Sequence, residues 1–135
     1  MEEQNPINSL WDDEPFWDLT QNGKNWVRYH SQNPQVFREL RKMALDLLGR
    51  GRKKWGMKSL FEVLRWKRAF KAGPGIGQDG EEFKLANAHT PYYARYLMHC
   101  VPALEGFFDV AVSEADDMDF DRVRLWVELV RKADY

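Results

Sequence analysis

The stretch NPQVFRELRKMALDLLG, residues 33–49, decides the fold class. Asn33 is a residue type that caps helix starts, Pro34 suits a first turn, and Gly49 reads as a stop. Between them Val36, Phe37, Leu40, Met43, Ala44, Leu47 and Leu48 recur at helical spacing and fall on one arc. Arg38, Arg41 and Lys42 fall on the other side, where solvation accounts for each of them singly. This is an amphipathic helix that needs a core.

The same pattern extends in both directions. Upstream, NWVRYHSQNP (25–34) reads as a short helix broken before Asn33-Pro34. Downstream, RGRKKWG (50–56) is a cationic loop, since two glycines and four bases cannot make a core. A second amphipathic helix over 58–71 is expected to bury Leu60, Phe61, Val63, Leu64, Trp66 and Phe70. Lys67 projects into the middle of that arc, and snorkelling along its own stem explains it. AGPGIGQDGEE (72–82) is a turn-rich link. FKLA (83–86) and GFFDVAV (106–112) read as short strands able to pair. Between them TPYYARYLMHCV (90–101) is a third helix, with Thr90 as cap and Pro102 as stop. SEADDMDFD (113–121) reads as an acidic linker, and a last helix runs near 121–133.

These elements predict a mainly α, compact helical domain with a short two-stranded β element, winged-helix-like. Three regions are expected: an acidic aromatic arm over 1–23, a basic core over 24–112, and an acidic linker with an amphipathic helix over 113–135. At 135 residues and 44% hydrophobic the chain is long enough for one real core. The amino terminus is acidic where a signal peptide is basic, and no apolar run approaches a membrane helix. One cysteine rules out an intrachain disulfide. The expectation is a cytoplasmic protein of a bacterial host cell, with no membrane partner.

Charge is segregated although the whole chain sums to −1. Residues 1–23 carry six acids and no base, 24–72 carry fourteen bases and three acids, and 73–135 carry six bases and twelve acids. Such segregation points to a polyanionic partner, with mutual neutralisation on the folded surface as the bland alternative.

Catalytic patterns are weak. Cys100 follows His99 directly, and helix neighbours point about 100° apart, which is poor geometry for a thiol–imidazole pair. His30, His89 and His99 lack zinc-site spacing. The acids of 114–121 lack the central glycine and final glutamate of an EF-hand loop. The glycines of 73–80 lack a Gly-Lys-Ser/Thr ending. No enzyme activity, metal or cofactor is expected.

Binding fits better. Arg50, Arg52, Lys53, Lys54 and Lys58 suit phosphate contacts. Asn87, His89, Thr90 and Arg95, around the start of the third helix, suit base contacts, because recognition helices read bases with their first residues. Tyr92, Tyr93 and Tyr96 are either stacking platforms or core. The rival reading is an interaction protein whose Trp11, Phe16 and Trp17 anchor a host or phage protein. A dimer fits either reading.

NWVRYHSQNPQVF, GRKKWGMKSLFEVLRW and FKLANAHTPYYARYLM…PALEGFF resemble a family of small, largely uncharacterised bacteriophage and prophage proteins, over roughly residues 26–108. The resemblance implies a phage setting and no particular activity. In that family the segment before the third helix often runs through several asparagines to an aromatic. This chain has Ala86, Asn87, Ala88 and His89 there.

Overall fold

In a computed structural model the chain is described over residues 19–72 and 85–129. Five α-helices occur among the described residues: α1 (Gln21–Gln32), α2 (Pro34–Gly49), α3 (Met57–Ala72), α4 (Thr90–Cys100) and α5 (Phe120–Leu129). Short 3-10 turns at Asn87–His89, Pro102–Leu104 and Glu114–Asp117 connect the later ones. No helix among the described residues is long and apolar enough to cross a membrane.

The helix ends differ from the sequence reading in instructive ways. α1 starts at Gln21, earlier than expected, because the Thr20 hydroxyl accepts the Gly23 amide at 3.1 Å. Asn33 does not cap α2 with its side chain. It closes α1 instead, donating its side-chain amide to the Tyr29 carbonyl at 2.9 Å. With a single residue between two helices, the donor-poor end of α1 takes that amide. Gly49 is not the stop of α2 but its last helical residue. Gly51, at φ +96°, makes the turn. Its amide donates to the Leu48 carbonyl and the Arg52 amide to the Leu47 carbonyl, both at 3.0 Å. This is a Schellman closure, which needs a left-handed residue just past the cap.

The core is built around Trp26 of α1. Its indole stacks on His30 and Tyr92, with ring centroids 5.4 and 5.5 Å apart. Tyr93, Tyr96 and Phe120 meet it edge-on. α2 adds Phe37 against Tyr96, and α3 adds Phe61 against Tyr93. All six residues from Tyr92 to Leu97 are buried, so α4 is the central helix and the others surround it. Tyr92, Tyr93 and Tyr96 are therefore core, and none offers a stacking platform.

Among the described residues there is no strand, so the mainly helical expectation holds and the two-stranded β element and winged-helix likeness are not established. Among the described residues the one extended contact is a parallel bridge between Trp55 and Phe108. Phe83 and Lys84, half of the expected first strand, lie outside the described residues. The chain leaving α4 turns at Gly106 (φ +75°) and buries Phe107 and Phe108. That places it beside the α2–α3 loop, where the Trp55 amide donates to the Phe107 carbonyl at 3.0 Å.

α5 and the turn before it contribute to the core. Ala115, Met118, Phe120, Val123, Trp126 and Val127 belong to the same core as Trp26. The acidic stretch before α5 is a capped turn, with Ser113 and Asp116 closing a reciprocal capping box. The Thr20 hydroxyl and the Asn22 amide both reach the Glu114 carboxylate, tying α1 to this turn.

Candidate nucleic-acid interface

The α2–α3 loop presents the cations expected to meet phosphate. The Schellman turn ends α2 abruptly, and the Trp55–Phe107 hydrogen bond pins the loop's far end to the segment after α4. The residues between are exposed: Arg50, Arg52, Lys53 and Lys54, with Lys58 on the first turn of α3. The Arg50 guanidinium meets Asp46 at 3.2 Å, and Lys54 Nζ meets Asp109 at 2.8 Å. The guanidinium carbon of Arg52 lies 5.6 Å from the centre of the Trp55 ring, which holds that arm by a cation–π contact. Five cations thus meet two carboxylates, in exposed pairs of the kind that contribute about 0–1 kcal/mol each. Lys58 lies in the first turn of α3, which carries no acid. The amino end of a helix is its positive pole, so the dipole adds to the charge of Lys58 there.

The residues expected to read bases are placed otherwise. Arg95 is a strut of the fold: its guanidinium is nine-tenths buried and pairs with Asp116 at 2.7 Å. Its other nitrogens donate to the Pro91 and Ala111 carbonyls. It has no reach to a base, and that expectation is corrected. His89 is buried against Tyr29, ring centroids 5.1 Å apart, and burial lowers its pKa from the ordinary value. Thr90 is the first residue of α4, and its hydroxyl donates to the Asn87 carbonyl at 2.8 Å. Asn87 is exposed, but its side-chain oxygen accepts from Arg65 at 3.0 Å. These residues also sit at the wrong end. The basic loop touches the segment following the carboxyl end of α4, and an 11-residue helix is about 16 Å long. The structure does not bring the two expected halves of the interface together.

One feature of α3 was missed from sequence. Leu60, Phe61 and Leu64 are buried as expected, whereas Val63, Trp66 and Phe70 are 44, 66 and 71% exposed. The signal was present in Lys67. At about 100° per residue the six apolar positions cover more arc than one neighbouring surface can bury, and Lys67 falls between two stripes. One stripe packs on α2 and α4. The other, with the Trp66 and Phe70 rings 5.2 Å apart and nearly perpendicular, faces outward beside exposed Lys67.

The remaining reactive groups are tied into the packing. Cys100 is half-buried, and burial pushes its thiol up to about 11, so it stays protonated at neutral pH. His99 Nε2 lies 2.7 Å from the Asp121 carboxylate. Among the described residues no three His, Cys, Asp or Glu side chains are grouped to hold a metal ion. Trp11, Phe16 and Trp17, the expected partner anchors, lie outside the described residues. No family model, curated protein or solved structure matches the chain.

Proposed function

We propose that this chain is a non-catalytic DNA-binding protein of phage or prophage setting, which grips the phosphate backbone through its α2–α3 loop. The observation that supports this reading is the gathering of Arg50, Arg52, Lys53 and Lys54 on the exposed α2–α3 loop, with Lys58 on the first turn of α3. Lys58, at the positive pole of α3, is unfavourable by about 0.3–1 kcal/mol in an isolated domain. A polyanion reverses that sign and releases its own counterions as it binds. Binding of this kind is salt-dependent and weakly selective, because phosphate contacts position a protein without reading sequence.

The test is a salt series on duplex and single-stranded DNA. Four phosphate contacts on duplex DNA give log K against log salt a slope contribution of about −3.6. Replacing Arg50, Arg52, Lys53 and Lys54 with Gln removes that contribution and weakens binding to every sequence alike. An unchanged slope overturns the proposal.

A second reading, docking on a host or phage protein, is favoured by one observation on α5. Leu125 and Leu129, one turn apart, are 56 and 71% exposed. That reading expects a protein complex that survives the loop substitutions and is lost on replacing Leu125 and Leu129 with Ser.

A further inference from the structure

We infer that the DNA taken by this chain is single-stranded, and that Trp66 and Phe70 hold its bases by stacking. The inference rests on the loop being a phosphate site and adds the form of nucleic acid that the neighbouring surface accepts.

Three observations carry it. First, Val63, Trp66 and Phe70 form one outward stripe at helical spacing, and the two rings stand 5.2 Å apart at 72°. A planar base laid on one ring meets the other at its edge. Unpaired bases offer such faces, whereas in a duplex the neighbouring base pairs cover them. Second, the stripe has cations to either side. Lys67 borders it on one side; on the other, exposed Glu62 stands between it and Lys58 and Arg65, and Glu62 is paired with Arg65 at 3.3 Å. Third, the stripe continues from the basic loop along one rigid element. Lys58 to Phe70 is twelve residues, or about 18 Å of helix, so a strand whose phosphates sit at the loop can lay its bases along α3.

The same face is unsuited to reading duplex DNA. Base edges are read by bidentate polar side chains such as Arg, Asn and Gln. Trp66 offers a single indole donor, and Val63 and Phe70 offer none. A protein occupant would need an apolar groove edged with carboxylates to match Lys58 and Lys67, and it is the competing outcome below.

The experiment measures anisotropy of a labelled oligothymidylate and of a duplex of equal length, each at two salt concentrations, with the full chain. The variants are Trp66→Ala, Phe70→Ala, their combination, Trp66→Phe, and the four-site loop variant. Both aromatic side chains are exposed, so the alanine variants keep the core; an unchanged circular dichroism spectrum and urea midpoint verify this. Each alanine substitution is expected to weaken single-strand binding about 5- to 140-fold, the equivalent of about 1–3 kcal/mol per stacked base, while duplex affinity and the salt slopes hold. Trp66→Phe keeps most of the single-strand affinity. Equal losses on both DNA forms, or none on the single strand, overturn the inference. So does the finding that the double variant leaves DNA binding intact and instead abolishes self-association in sedimentation. Failure of the loop reading looks different: the loop variant then leaves both salt slopes unchanged, whatever the aromatic variants do.

Discussion

Acidification should unfold this protein from its centre, through His30. The imidazole is fully buried, stacked on Trp26 with the ring planes 5° apart, and edged by Phe37, Tyr93 and Tyr96. Burial lowers its pKa from 6.5 to about 3. In the unfolded chain the same ring titrates near its ordinary value of about 6.5. Between these limits the unfolded state holds a proton that the folded state refuses, so stability falls as pH falls. The slope approaches about 1.4 kcal/mol per pH unit, and at pH 4.5 about 2.7 kcal/mol has been lost through this one residue. That is a large part of a domain's typical 5–15 kcal/mol. The assay is urea unfolding followed by tryptophan fluorescence between pH 7.5 and pH 4.5, for the wild type and for His30→Phe. Phenylalanine keeps the stack and cannot titrate. Its absolute stability will differ, but the gap between the two proteins should move by about 2.7 kcal/mol in the variant's favour across that range. His89, whose pKa burial also lowers, remains in both proteins and cancels in the gap. Glu114 and Asp116 have lowered pKa values, so their stabilisation is lost chiefly below the range tested. Parallel stability curves for the two proteins would refute the reasoning, because they would mean that His30 accepts its proton as readily folded as unfolded.

Two further predictions concern the fold. Gly51→Ala should cost about 1–2 kcal/mol in urea unfolding, since the turn needs a left-handed residue, while Gly49→Ala should stabilise by about 0.4–1 kcal/mol. A Cβ meets nothing within 4 Å at either position, so opposite signs would isolate the backbone angle as the cause. Arg95→Met should cost about 1.5–3 kcal/mol, because Asp116 and two carbonyls lose a charged donor, and DNA affinity of the folded variant should stay unchanged. A selective loss of DNA discrimination would instead return Arg95 to the interface.

Much of the helical framework was legible without coordinates. Pro34, Thr90-Pro91 and Pro102 mark helix limits through backbone geometry that a neighbour cannot alter, and the arc from Val36 to Leu48 fixes the buried face of α2. The basic loop was legible too, because four bases and two glycines in seven residues leave little to bury. The role of Arg95 was not. A helical arginine reads the same whether it meets solvent or a carboxylate from a distant turn, and Asp116 arrives from 21 residues away. The contact of Phe108 with Trp55 in the α2–α3 loop was not legible either, because it joins segments 53 residues apart.

Tyr92, Tyr93 and Tyr96 on one side, and Trp66 and Phe70 on the other, mark the boundary between the two kinds of information. All five are aromatic residues on amphipathic helices. The sequence alone determined that the helices form and that positive charge concentrates between residues 24 and 72, because these follow from local geometry and composition. Only the tertiary structure decided that the tyrosines are buried around Trp26 while Trp66 and Phe70 face outward. Burial depends on how many neighbours a helix has. α4 is enclosed along Tyr92 to Leu97, whereas α3 is covered on one face, and that difference is a property of the assembled domain rather than of either segment.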